Sequence, residues 1–137
     1  MSNAPPTLLK IGDVANQSGV PIKTIRYYEE LGLLKATART EGHFRLFHPS
    51  TTQRLAFIKR LQSLGLSLQE IGDCLQIYDH GHLPCADIEA KLSRHVLEID
   101  RQIAELQQLR RELTDILDRW SPTPAIQPGA ICPNLRV

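Results

Sequence analysis

Five side chains between positions 23 and 28, Lys23, Thr24, Arg26, Tyr27 and Tyr28, can each hold a phosphate oxygen by charge or by a hydroxyl donor. Few short segments carry so many together. A second set consists of three cysteines, Cys74, Cys85 and Cys132. Cys85 closes the run Asp79-His80-Gly81-His82-Leu83-Pro84-Cys85, which also brings the imidazoles of His80 and His82. An odd thiol count argues against a disulfide framework and leaves metal or thiol chemistry open. Loop histidines more often face water than a ligand, so these two rank behind the thiols. No glycine-rich phosphate loop is present, and no nucleophile stands in a recognisable pairing with a base, so an enzyme is a remote alternative.

The elements that must position these groups are mostly helical. From Lys10 to Leu34 the sequence reads as two short helices seated through Val14, Ala15, Val20, Ile25 and Leu31. Gly19 supplies the turn between them, Pro21 favours the start of the second, and Gly32 ends it in a left-handed cap. Two helices joined by a short glycine turn describe a helix-turn-helix, whose second helix enters the major groove of DNA. In residues 35–48, Phe44, Leu46 and His48 alternate with Arg45 and Phe47 after a turn at Glu41-Gly42, which predicts a short hairpin or wing displaying Arg39 and Arg45 toward a DNA backbone. Next comes a second helix pair. Leu55, Phe57, Ile58, Leu61 and Leu64 repeat at helical spacing up to Gly65, and Ser67-Leu68-Gln69-Glu70 is a capping box for a helix carrying Leu68, Ile71, Leu75 and Ile77. Cys74 on that helix reads most simply as a small buried hydrophobe.

Between Ala86 and Arg119 there is neither proline nor glycine, and Ile88, Leu92, Val96, Ile99, Ile103, Leu106, Leu109, Leu113 and Leu117 recur every three or four residues. That spacing is the coiled-coil signature over about four heptads. One such helix cannot bury its own seam, so a homodimer is expected. Residues 121–137 hold four of the nine prolines, yet Ile126, Ile131, Cys132 and Leu135 are apolar enough that this tail is expected to pack on something. Charge is divided: residues 1–65 hold nine Lys/Arg against four Asp/Glu, and residues 66–137 seven against eleven. A basic head and an acidic remainder fit nucleic-acid contact at one end. No membrane span or signal peptide is evident, so a cytoplasmic protein is expected.

The run IRYYEELGLL, then HFRLF, then RLAFIKRLQSLGLSLQEI resembles the mercury-resistance regulator (MerR) family of transcription factors, closely from about Leu9 to Ile77. The resemblance implies a mainly α protein: residues 1–8 a flexible N-terminus, 9–78 a winged helix-turn-helix head with a second helix pair, 79–85 a hinge loop, 86–120 a long antiparallel coiled-coil dimerisation helix, and 121–137 a short C-terminal effector loop. It implies contact with double-stranded promoter DNA through Lys23, Thr24, Arg26, Tyr27, Tyr28, Arg39, Arg45 and Phe47. An effector then distorts an overlong promoter spacer for RNA polymerase. Two departures stand out. The wing reads Arg45-Leu46-Phe47 where the family carries Arg-x-Tyr, and His48-Pro49 stands where a serine commonly caps the next helix.

In the metal-sensing branch a cysteine at the place of Cys85 reaches the partner's C-terminal loop, and Cys132 resembles the last cysteine of that loop. Both imply a thiophilic divalent ion such as zinc, cadmium, lead or mercury. A further cysteine is normal after the long helix, where this chain has Asp118-Arg119-Trp120-Ser121, so His80, His82 or Asp118 would have to complete a tetrahedral site. A redox or electrophile sensor built on the Cys85 thiol is the alternative.

Overall fold

The computed structural model describes residues 6–135. The expected N-terminal segment 1–8 therefore falls largely outside the described residues, and residues 6–8 carry no regular element. The chain divides into two compact units, one ending at Leu92 and the other beginning at Ser93.

In the first unit, β1 (Leu9–Lys10) leads directly into α1 (Ile11–Ser18). Gly19 then turns the chain at φ 72°, its N–H returning to the carbonyl of Ala15, while Ser18 Oγ accepts from the Val20 N–H at 3.1 Å. α2 (Ile22–Glu30) follows, with Pro21 at its N-cap. Gly32, at φ 79°, reverses the backbone so that the Leu33 N–H bonds Tyr28 O at 2.9 Å. That reversal sends Leu33 and Leu34 into the core with Val14, Val20 and Ile25. Leu31 does not join them; it stays 46 % exposed because the cap carries the chain past it.

β2 (Ala38–Arg39) and β3 (Arg45–Phe47) form the expected hairpin, but β3 is the central strand of a three-stranded antiparallel sheet ordered β1-β3-β2. Leu9 faces Phe47, Lys10 faces Leu46, and Arg39 faces Arg45. A two-residue strand such as β1 has no periodicity to read, and the sequence did not reveal it.

α3 (Thr51–Ser63) starts two residues after Pro49. His48 prepares it: its Nδ1 accepts the Ser50 N–H at 3.1 Å, and its carbonyl accepts from Thr51 at 2.9 Å. The imidazole thus holds the N–H of the N-cap residue Ser50 in a local turn, while no side chain caps the first turn of α3. Leu55, Ile58 and Leu61 are buried along α3, while Leu64 remains 40 % exposed. α4 (Leu68–Asp79) opens with the capping box in full, Glu70 N–H to Ser67 Oγ at 3.1 Å and Ser67 N–H to Glu70 Oε1 at 3.0 Å. It buries Ile71, Cys74 and Leu75.

α5 (Cys85–Asp118) has 34 residues and is about 51 Å long at about 1.5 Å per residue. Within the first unit Ile88 and Leu92 pack on the core. In the second unit the seam stands in solvent: Val96, Ile99, Ile103, Leu106, Leu109, Leu113 and Leu117 are between 47 and 65 % exposed. The tail after α5 has no regular element, but Asn134 clasps Ser121, its Oδ1 accepting the Ser121 N–H and its Nδ2 donating to the Ser121 carbonyl, both at 2.8 Å. The tail's apolar residues are expected to pack between subunits, and among the described residues of one chain they stay largely open. Ile126 and Ile131 are fully exposed and Leu135 is 48 % exposed, because the clasp fixes the backbone without giving these side chains a surface to cover. Among the described residues, no helix is long and apolar enough to cross a membrane.

Candidate nucleic-acid interface and thiol region

Helical spacing sorts the side chains of α2 onto two faces. Lys23, Arg26 and Tyr27 lie three and four positions apart and are exposed, with Thr24 half-buried at the edge. Ile25 and Tyr28 take the other face, 0 % and 5 % exposed. Tyr28 is therefore no part of the solvent-facing set. Its hydroxyl donates to Gln62 Oε1 on α3 at 2.7 Å, so the one polar atom that could reach a phosphate is already used inside the head. The two tyrosine rings are tilted, with centroids 6.4 Å apart.

On the hairpin, Arg39 is exposed and its NH1 donates to the carbonyl of His43 at 3.3 Å, which steadies a turn where His43 sits at φ 64°. Arg45 is half-buried, and its Nε donates to Glu29 Oε1 on α2 at 2.6 Å. Phe47 corrects a second expectation. The strand alternation that displays Arg45 turns Phe47 into the core at 0 % exposure, where it faces Leu9 and offers DNA nothing. Phe44 takes the outer surface instead, 71 % exposed. Of the cations singled out in the sequence, Lys23, Arg26 and Arg39 are exposed and Arg45 is half-buried, and Tyr27 is exposed next to Arg26.

All three cysteines are free thiols. Cys85 is exposed at the first position of α5 and Cys132 is half-buried in the tail. Cys74 is wholly buried, with Sγ donating to Asp87 Oδ2 at 3.3 Å. Burial, reinforced by that bond, pushes its pKa up to about 11. His80 caps α4, and its Nδ1 lies 2.7 Å from Gln76 O; a carbonyl can only accept, so Nδ1 carries the proton and Nε2 the lone pair. His82 is exposed in the following loop, where its N–H bonds Ile77 O at 3.1 Å. Among the described residues of one chain, no three His, Cys, Asp or Glu side chains come together as a metal site.

Residues 9–76 match the family described as MerR HTH family regulatory protein, and residues 52–116 match the family described as MerR, DNA binding. The chain is 39 % identical over 110 residues to the mercuric resistance operon regulatory protein of Bacillus cereus, covering 80 % of this chain and 83 % of that one. This chain belongs to the MerR family. It is a DNA-binding transcription regulator and not an enzyme. A second relative, heavy metal-dependent transcription regulator 2 of Rhizobium meliloti, is 33 % identical over 105 residues, which is 77 % of this chain and 71 % of that one. In structure, the transcription regulator PbrR691 of Ralstonia metallidurans, solved in complex with lead(II), superposes with a TM-score of 0.73 at 32 % identity, over 85 % of this chain and 91 % of that one.

Two polar assemblies in this MerR regulator were not visible in its sequence. Arg54 on α3 donates through Nε to the Leu33 carbonyl at 2.7 Å and through both terminal nitrogens to Asp79, at 2.7 and 2.9 Å. It ties the end of the helix-turn-helix to the end of α4, and its bonds hold the Asp79 carboxyl below the usual carboxylate range. Lys91, only 5 % exposed, bonds Asp87 one turn away on α5, and the same carboxylate accepts from Cys74 on α4. That bond raises the Lys91 pKa above its ordinary value. Arg54 reaches partners 21 and 25 positions away and Cys74 reaches Asp87 13 positions away, beyond helical periodicity; only Asp87 and Lys91 stand at i,i+4 spacing.

Proposed function

We propose that two copies of the chain pair through the seam of α5 and that the paired heads grip successive half-sites of a promoter operator. The observation that carries this reading is the row of seven apolar side chains from Val96 to Leu117 left in solvent beside a head whose own core is closed. A row of that kind is stable in water only when a partner covers it. An antiparallel arrangement would put one head at each end of the pair. Arg26, Tyr27 and Arg45 then anchor phosphates, Arg39 adds charge on the hairpin, and Lys23 and Thr24 face base edges. The paired heads underwind and kink a promoter whose spacer is overlong, realigning it for RNA polymerase, a deformation costing about 1–6 kcal/mol. The effector must prefer the distorting state by a comparable amount.

The effector is a thiophilic divalent metal ion such as zinc, cadmium, lead or mercury. The named relatives, a mercuric resistance regulator, a heavy metal-dependent regulator and a lead-bound regulator, support a metal in general. The thiols fit it unequally. Cys85 is exposed and Cys132 half-buried, so both are open to a soft ion, whereas Cys74 is sealed and held protonated. His80 presents an Nε2 lone pair, and His82 an exposed imidazole. Among the described residues no three such ligands come together, and this reading draws the ligand set from two subunits.

Gel-shift or anisotropy titration against duplex from upstream of the chain's own coding region tests the DNA reading. Arg26→Ala should weaken binding and reduce the salt slope by about 1; unchanged affinity and slope remove Arg26 from the interface. Competition titrations with zinc, cadmium and mercury should show affinity falling in both Cys85→Ser and Cys132→Ser. Full metal affinity in both variants rejects the metal reading, and a response to peroxide alone replaces it with thiol oxidation.

A further inference from the structure

We propose that Glu29 is a positioning residue for operator binding: its carboxylate holds the Arg45 guanidinium, and so holds the β2–β3 hairpin in fixed register against the recognition helix α2. The inference rests on the operator-binding reading above. Glu29 lies in the last turn of α2, its side chain 17 % exposed, and its Oε1 accepts from Arg45 Nε at 2.6 Å. This side-chain bond joins α2 to the hairpin. The other bonds of the outer hairpin, Thr40 N–H to Phe44 O at 2.9 Å, Phe44 N–H to Thr40 Oγ1 at 3.1 Å and Arg39 to the His43 carbonyl, close its turn but do not tie it to α2.

The second carboxylate oxygen makes the pair unusual. Glu29 Oε2 is buried and has no hydrogen-bond partner. A buried, unpartnered oxygen on an ionised group is costly, and an apolar side chain of similar volume is commonly as stable or more so. Fold stability alone is therefore a poor explanation for a carboxylate at this place. Geometry is a better one. Only Nε of Arg45 is spent on Glu29, so the two terminal nitrogens of the fork stay available for a phosphate while the stem is fixed.

The sign of one substitution decides the matter. On charge alone, removing a carboxylate beside DNA strengthens binding, because phosphate repulsion is relieved. Positioning requires the opposite. Anisotropy titrations with the upstream duplex would compare the full-length parent with Glu29→Met, Glu30→Gln, Arg45→Ala and the double variant Glu29→Met/Arg45→Ala, each with its thermal midpoint. Glu29→Met should bind about five- to tenfold more weakly while its midpoint stays at or above the parent's. Glu30→Gln, an exposed neighbour on α2, should bind as tightly as the parent or more tightly. The double variant should be no weaker than Arg45→Ala. Binding by Glu29→Met at or above the parent's affinity overturns the proposal. So does a fall in its midpoint that parallels the lost affinity, or full additivity in the double variant. Failure of the parent itself to bind is a different result, and it removes the operator reading together with this one.

Discussion

Cys74 and Cys85 are eleven positions apart and chemically opposite. The buried Cys74 thiol is pushed up to about 11 from an ordinary 9.0, first by burial and then by its bond to Asp87, with Lys91 pulling the other way. A thiol reacts as its thiolate, so Cys74 is inert near neutrality. Iodoacetamide at pH 7.5 should label Cys85 in the native protein and reach Cys74 only after unfolding, which peptide mass spectrometry would resolve. The same shift sets a direction for stability. The folded state keeps its proton where the unfolded chain loses it, so this contribution is complete below about pH 9 and drains away as pH rises toward about 11. Urea titrations across that range should show a steeper alkaline loss for the parent than for Cys74→Val. Tyr27 and Tyr28 divide in a similar way. Tyr28→Phe gives up the bond to Gln62, costing about 1 kcal/mol of stability with operator affinity retained; Tyr27→Phe should spare stability and weaken operator binding.

The elements were legible wherever the signal was local. Gly19 and Gly32 have the positive φ that their places between and after two helices demanded, and the Ser67/Glu70 box makes both of its bonds. Ser67→Ala should cost about 1 kcal/mol in thermal or urea unfolding, since it strips a donor's partner from the first turn of α4. Tyr28 and Phe47 lie in the core rather than on the expected outer face for a common reason. Each belongs to a run of polar or aromatic residues suited to DNA, and one step of helix or strand rotation decides which of them faces out. Tertiary packing sets that rotation, through Gln62 for one and Leu9 for the other. The Arg45–Glu29 and Arg54–Asp79 pairs span 16 and 25 positions, beyond any periodicity. The thiol candidates were legible as residues, and among the described residues no three His, Cys, Asp or Glu side chains come together.

For the whole molecule, the exposed seam of α5 makes the strongest demand. Leu106→Glu places a charge in the middle of it and should convert the proposed dimer to a monomer in sedimentation at micromolar concentration, while the head, whose core includes none of these residues beyond Leu92, keeps its own fold. Operator affinity should fall in step, since two half-sites are then held by two independent binders. The Asn134–Ser121 clasp carries a further consequence. By tying both ends of a thirteen-position noose to the end of a stiff rod, it removes most of the wandering that a proline-broken strand would otherwise have to surrender on capture. If Cys132 is a ligand as proposed, it is presented in advance, and much of the entropy cost of capture is met during folding.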